Sequence, residues 1–125
     1  IKNNGPLAGL YTGLNNSKTK YNIVLSCDIP LIKKSILKKL IIEMNNDFDI
    51  VAFKHNKNLM PLIAIYKKEC SKTCYELLMN GERKLKKLFK KLNSKHIIIN
   101  KNESDCFNNI NTNSDLLKIK KIVNY

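Results

Sequence analysis

The chain has 125 residues and a formal net charge of +13, which is enough length for one domain with a single hydrophobic core. It contains no run of about 18 apolar residues, which excludes a typical membrane-spanning helix. Of the 23 basic residues, all but one are lysines scattered along the sequence, a pattern that indicates compositional bias more than a clustered nucleic-acid-binding surface.

Short apolar runs alternate with amphipathic segments along the sequence. Apolar residues at helical spacing predict helices, and compact apolar runs bounded by polar turns predict strands. In chain order these are helix 5–14, strand 23–27, helix 31–44, strands 49–53 and 61–66, helices 68–80 and 85–92, strand 96–100 and helix 113–123. This alternation favours a one-domain α/β layered fold with a mainly parallel sheet, in which strand 23–27 is covered on both faces.

Asp28 comes directly after the first predicted strand, in the segment SCDIP. In open α/β sheets, ligands bind outside the carboxyl ends of the strands, where a carboxylate can hold a divalent cation that bridges phosphate oxygens. The alternative is that Asp28 only caps the helix that begins at residue 31. Its position leaves both roles open.

Arg83 is the single arginine in a chain that otherwise uses lysine. A guanidinium group offers a planar, bidentate fork that an ammonium group does not provide. We therefore expect Arg83 to bind an anion, with incidental surface placement as the alternative. Gly81, two residues earlier, predicts a left-handed cap for the preceding helix.

The cysteines show no CxxC spacing; they are Cys27, Cys70, Cys74 and Cys106. Nothing in this pattern predicts a disulfide scaffold, which favours a reducing, cytoplasmic setting. Cys70 and Cys74 lie four residues apart on one predicted helix, where we expect them to pack as small hydrophobic residues. A zinc site that uses both of them together with His96 is the alternative.

Five motifs carry a resemblance to a known family: GPLAGL, SCDIP, MPLIAIY, LLMNGERKL and NINTNSDL, in this order from residue 5 to about residue 117. Together they resemble the molybdenum cofactor guanylyltransferases, a branch of the nucleotidyltransferases. The resemblance implies a three-layer, Rossmann-like nucleotidyltransferase fold. It also implies transfer of GMP from GTP to the terminal phosphate of molybdopterin, with Mg²⁺ as cofactor and pyrophosphate as the second product.

The resemblance also implies roles for individual residues. Asp28 would bind the metal and contact the nucleotide, Asn111 would be a second metal ligand, and Arg83 would stabilise the reacting phosphates. The implied nucleotide contacts are Gly5, Pro6, Leu7, Ala8, Gly9 and Asp28. The implied pterin contacts are Pro61, Leu62, Gly81, Glu82, Arg83, Asn109 and Asn111.

The glycine-rich phosphate loop with which that family begins has no match in this sequence. The resemblance therefore implies that residues 1–125 are the C-terminal two-thirds of a single nucleotidyltransferase domain, without its first strands and phosphate loop. The expected substrates are GTP and molybdopterin, and cofactor-synthesis or acceptor proteins are the expected protein partners. Neither nucleic acid nor a membrane is expected to bind.

Other functions stay open at this level. A cytidylyltransferase for the same pterin, or a sugar-phosphate nucleotidyltransferase, would share the fold. An inactive remnant would retain the motifs without turnover. A basic nucleic-acid-binding module would stack bases on tyrosines, although these are dispersed; the candidates are Tyr11, Tyr21, Tyr66 and Tyr75.

Overall fold

Helices and strands alternate along the chain in a computed structural model that describes residues 5–26, 34–55, 57–99 and 117–121. The elements are α1 (Gly5–Asn15), β1 (Tyr21–Ser26), α2 (Lys34–Glu43), β2 (Ile50–His55), β3 (Asn58–Lys67), α3 (Cys70–Met79), α4 (Lys86–Lys91), β4 (Ser94–Ile98) and β5 (Leu117–Lys121). Eight of these confirm the predicted element type, and the last does not. Within these ranges, no helix has the length and apolar character needed to cross a membrane.

The described strands form one sheet in the order β4-β2-β3-β1-β5. Among the described strands, only β2 and β4 pair in parallel, whereas β3 pairs antiparallel with β1 and β2, and β5 pairs antiparallel with β1. The α/β class is confirmed, but the mainly parallel pairing is wrong for these strands. The reason is that β3 fills the place between β1 and β2, which run in the same direction as each other and as β4.

A tight hairpin explains how β3 reaches that place. His55 at the end of β2 pairs with Asn58 at the start of β3, so the connection has two residues. A connection this short joins antiparallel strands, and its backbone needs positive φ angles. Lys57 meets this need with a φ of 68°. The predicted polar loop over residues 54–58 is therefore mostly strand.

β5 corrects the predicted helix over residues 113–123. Leu117–Lys121 is a strand, with Leu117 opposite Ser26 and Lys121 opposite Asn22. The segment LKIK alternates apolar and polar residues, which is the period of two that a strand shows. The short alternation in LKIK correctly indicates a strand, whereas the wider spacing of apolar residues over 113–123 wrongly indicates a helix.

Helices cover both faces of the sheet, which confirms the predicted layers. On one face, α1, α3 and α4 enclose a core that contains Leu7, Leu10, Leu14, Val24, Ala52, Tyr66, Cys74, Leu77 and Leu88. On the other face, α2 helps to enclose a core that contains Ile23, Ile36, Leu40, Val51, Phe53 and Ile65. Successive strand residues alternate between the two cores, so a central strand such as β1 has to be apolar on both faces.

Candidate functional site

The start of α1 lies toward the end of the sheet at which β1, β2 and β4 have their C-terminal residues, here called the carboxyl edge. At the opposite edge, Lys68 donates its main-chain N–H to the Lys20 carbonyl (2.8 Å) and its ammonium group to the Ser17 carbonyl, which holds the end of α1 near the start of β1. A helix of 11 residues is about 16 Å long. Gly5, its first residue, is therefore carried toward the carboxyl ends of the strands.

α3 reaches the same edge, because it begins just after β3 and runs back along the sheet. Its end is a Schellman motif: the Gly81 N–H donates to the Leu78 carbonyl (3.0 Å) and the Glu82 N–H to the Leu77 carbonyl (2.9 Å). Gly81 has a φ of 84°, which confirms the predicted left-handed cap. The motif turns the chain sharply and presents Arg83 beside α1.

The GPLAG and GER segments meet through a main-chain contact. The Leu7 N–H donates to the Arg83 carbonyl at 3.4 Å. Leu7 is too near the start of α1 to have an intrahelical acceptor, so Arg83 satisfies one of the helix's unpaired donors. Gly5 has a φ of 80°, and a Cβ at this position would stand 3.4 Å from the Arg83 oxygen. Glycine therefore permits both the backbone angle and the close approach.

Burial divides the GPLAG residues into two groups. Leu7 and Ala8 are 0% and 4% exposed and belong to the core, whereas Gly5 and Gly9 are exposed and Pro6 is partly exposed. The side chains of Leu7 and Ala8 are therefore not available to a ligand. Any nucleotide contact predicted for these two residues has to come from the main chain.

Gly81→Ala is expected to lower the free energy of unfolding by about 1–2 kcal/mol, because a left-handed residue with a Cβ is strained. A Cβ at Gly81 would meet no atom within 4 Å, so the cost comes from the backbone angle alone. Urea denaturation measures it. The matched control is Asn80→Ala at the neighbouring C-cap, where φ is −91°; an equal loss there would contradict the prediction.

The Pro61–Leu62 segment forms a bulge in β3. Ala52 of β2 pairs with Ala64, but the next residue, Phe53, pairs with Met60, so three β3 residues have no partner on β2. The Tyr66 hydroxyl donates to the Pro61 carbonyl at 2.6 Å across this bulge. Pro61 and Leu62 are both partly exposed. Bulges of this kind re-aim side chains and are common beside active sites.

The end of β1 lies beside this bulge. Leu25 pairs with Ile63, the last bulge residue, and β1 then ends at Ser26. In sequence, Asp28 follows two residues later. Asp28, Asn109 and Asn111 lie outside the described residues, so their predicted roles stay predictions.

The described site residues thus occur in two groups on one face of the sheet. Leu62 packs against the same core as Leu7 and the buried Leu85, which follows the GER turn. Arg83 is exposed, and its guanidinium forms no salt bridge with another of the described residues. Tyr66 ends the MPLIAIY motif, but the sequence does not indicate its link to Pro61, because the hydroxyl reaches the Pro61 carbonyl only through the bulge.

The alternative zinc site does not form. Among the described residues, no three side chains of His, Cys, Asp or Glu come together. Cys70 and Cys74 are free, buried thiols of the first core, whereas His96 is exposed on β4 and its ring lies near Phe89. The prediction that the two cysteines pack as small hydrophobic residues is confirmed.

Cys70 and Cys74 are expected to resist alkylation in the folded protein. Burial raises the pKa of each thiol to about 12, and only the thiolate reacts. At pH 8 the thiolate is then about one part in ten thousand, because the pH lies about four units below the pKa. Peptide mapping after brief iodoacetamide treatment checks this. Modification of Cys70 and Cys74 should appear only after denaturation. Rapid labelling of either of these two residues in the folded protein would contradict the prediction.

The protein has a three-layer α/β fold, and its candidate binding segments lie where the parallel-running strands end. This arrangement is typical of the class of α/β nucleotide-binding proteins. The chain belongs to the family of MobA-like NTP transferase domains, whose pattern it matches over residues 1–97. Members of this class of nucleotidyltransferase generally use a divalent metal ion.

Two relatives show how much of the family the chain covers. A protein of Flavobacterium johnsoniae, named "Probable molybdenum cofactor guanylyltransferase", is 37% identical over 114 residues, which are 91% of this chain and 59% of that protein. A similarly named protein of Clostridium perfringens is 36% identical over 128 residues, covering 94% of this chain and 64% of the relative. The chain therefore spans about three fifths of the length of these relatives.

Two solved structures share the fold. A protein of Aquifex aeolicus superposes with a TM-score of 0.77 at 26% identity, over 86% of this chain and 57% of that one. The molybdopterin-guanine dinucleotide biosynthesis protein A of Archaeoglobus fulgidus superposes with a TM-score of 0.70 at 25% identity, over 87% of this chain and 57% of that one. These similarities support the predicted nucleotidyltransferase fold.

Proposed function

We propose that the protein containing this chain is a molybdenum cofactor guanylyltransferase, which transfers GMP from GTP to the terminal phosphate of molybdopterin and releases pyrophosphate. The names of the two relatives at 36% and 37% identity support this substrate pair. The proposed location is the cytoplasm, in keeping with the two unbridged cysteines among the described residues. Proteins that make or accept the cofactor are the proposed partners.

One observation carries the proposal: the GPLAG and GER segments, which are far apart in sequence, touch through the Leu7–Arg83 hydrogen bond. The first segment is the proposed nucleotide contact and the second the proposed pterin-phosphate contact. Joining two substrates requires both to be held in line at one place, and alignment alone can supply much of the rate acceleration. A main-chain contact between the two segments meets this requirement.

In the proposed reaction, an oxygen of the pterin phosphate attacks the α-phosphorus of GTP, and the bond from that phosphorus to the bridging oxygen of pyrophosphate breaks. The protein has little covalent work to do; it aligns two anions and neutralises the charge that develops between them. Arg83 is suited to this task because its guanidinium is exposed at the junction and always charged. Gly5, Pro6 and Gly9 offer the accessible surface for the nucleotide.

The proposed metal is Mg²⁺, with Asp28 and Asn111 as its protein ligands. Carboxylate and amide oxygens suit this ion, which is usually held by one or two protein groups together with substrate phosphates and water. A site of this kind needs no cage of several acidic side chains, so it agrees with the lack of such a cluster among the described residues. When bound, Mg²⁺ would offset the repulsion between the two phosphates.

The test is nucleotide turnover by the longest reading frame that contains this chain, with molybdopterin as acceptor and GTP or CTP as donor. Pyrophosphate release and the mass of the dinucleotide product are measured. The proposal expects the guanine dinucleotide, with GTP preferred. A cytosine dinucleotide would identify the related cytidylyltransferase, and a lack of turnover with both donors would contradict nucleotidyl transfer to this pterin.

A further inference from the structure

The hydroxyl group of the buried Tyr66 bridges the bulge in β3 by donating to the Pro61 carbonyl. We propose that Tyr66 is a positioning residue: its hydroxyl fixes the Pro61 carbonyl and so aims Pro61 and Leu62 at the acceptor. This inference rests on the proposed function, because it assumes that the acceptor binds at the Pro61–Leu62 segment. Tyr66 itself does not touch the substrate, since its side chain is fully buried.

The hydrogen bond exists only because the strand is bent. Five residues of a regular strand, the separation of Pro61 from Tyr66, span about 16 Å, which exceeds the reach of one side chain. The observed distance between the Tyr66 hydroxyl and the Pro61 oxygen is 2.6 Å. Residues 61–63, which have no partner on β2, therefore bulge out of that pairing, and this brings the Pro61 carbonyl within reach of the Tyr66 hydroxyl.

The environment of Tyr66 suits a fixed anchor. Its side chain is 0% exposed, and its ring stands edge-on to Phe89 at a centroid distance of 6.1 Å. Burial, assisted by the nearby Cys70 and Cys74 thiols, raises the pKa of the Tyr66 hydroxyl well above its ordinary value. The group is therefore a proton donor at any physiological pH, and its ring has little freedom to move.

The place of the bulge gives the anchor a functional consequence. Ile63 at one end of the bulge pairs with Leu25, just before β1 ends in the segment that leads to Asp28. Leu62, the middle residue of the bulge, packs on the core that also holds Leu7 and Leu85. Fixing Pro61 thus sets the surface between the end of β1 and the GER side of the site, which is where the proposed acceptor has to lie.

Tyr66→Phe removes the hydroxyl and keeps the buried ring. We expect the dissociation constant for molybdopterin, measured by equilibrium dialysis with the full reading frame, to rise about five- to tenfold, in line with the loss of one hydrogen bond. The dissociation constant for GTP should change by less than about twofold. Amide hydrogen exchange at Leu62 and Ile63 should become faster while exchange in α2 is unchanged.

The matched control is Tyr21→Phe, which removes a hydroxyl that bonds the Asn46 side chain at 2.7 Å on the exposed surface. It should change neither the affinity for molybdopterin nor exchange in the bulge. Unchanged exchange at Leu62 and Ile63 in Tyr66→Phe would overturn the anchoring role. Equal losses of affinity for GTP and molybdopterin would reduce the residue to a structural one and also overturn the proposal.

Failure of the proposed function gives a different pattern. A wild-type protein that binds molybdopterin but transfers no GMP would refute guanylyl transfer, and a weaker affinity in Tyr66→Phe would still support the positioning role. If the wild type transfers GMP, and Tyr66→Phe shows faster exchange in the bulge with unaltered molybdopterin affinity, the proposed function stands and the positioning role is overturned. A wild-type protein that does not bind molybdopterin would refute both.

Discussion

Asp28→Ala is expected to lower the rate of guanylyl transfer by about 100- to 1000-fold, the usual loss when a group that stabilises transition-state charge is removed. The expectation follows from its place in the sequence, two residues after β1 ends beside the Pro61–Leu62 bulge. Without a carboxylate there, two polyanionic substrates would face each other with less positive charge between them. Pyrophosphate release with GTP and molybdopterin measures the loss.

The same variant should retain its stability, with a melting temperature within about 3 °C of the wild type, because a metal ligand contributes to rate more than to packing. Asp47→Ala is the matched control. Asp47 is exposed in the loop between α2 and β2, so its loss should leave turnover unchanged. Near-normal turnover of Asp28→Ala, or an equal loss in Asp47→Ala, would refute the assignment of the metal ligand.

Local patterns in the sequence predicted local structure well. The helical spacing of apolar residues located α1, α2 and α3, and Gly81 predicted the left-handed cap that the structure contains. Such features depend on residues within one or two turns of each other, so the sequence carries their signal directly. The three-layer arrangement followed as well, because strands that are apolar throughout need helices on both faces.

Pairing between distant segments was predicted less well. Nothing local indicated that β3 would insert between β1 and β2, and the alternation in LKIK was too short to outweigh an apolar pattern that also suits a helix. The strand order depends on which edges are free and on the two-residue hairpin, and these are properties of the whole chain. The Tyr66–Pro61 hydrogen bond depends in turn on that register, so the sequence alone does not predict it.

The placement of the candidate site's segments was predicted in part for the same reason. The motifs indicated which segments belong together, and two of these segments are in contact through the Leu7–Arg83 hydrogen bond. They did not indicate which atoms of a segment are available to a ligand. Leu7 and Ala8 were assigned to the nucleotide with the rest of GPLAG, but their side chains are buried in the core. A motif residue can therefore serve the fold through its side chain and the site through its main chain.

Leu7→Ala tests this division of roles. The side chain is 0% exposed in the core shared by α1, α3 and the sheet, so its truncation should lower the free energy of unfolding by about 2–5 kcal/mol. That is a large part of the total stability of about 5–15 kcal/mol that is usual for a domain. Because the Leu7 N–H and not its side chain lies at the junction, the affinity for GTP should stay within about threefold of the wild type below the melting temperature.

Leu14→Ala is the matched control, since Leu14 is equally buried in the same helix but lies at the end away from Gly5. Urea denaturation should give similar losses for the two variants, and isothermal titration with GTP at low temperature should give similar affinities. If Leu7→Ala weakened GTP binding by more than about tenfold while Leu14→Ala did not, the Leu7 side chain would be a nucleotide contact after all. The Leu7 side chain would then have to become exposed when the nucleotide binds, because a fully buried side chain cannot contact a ligand.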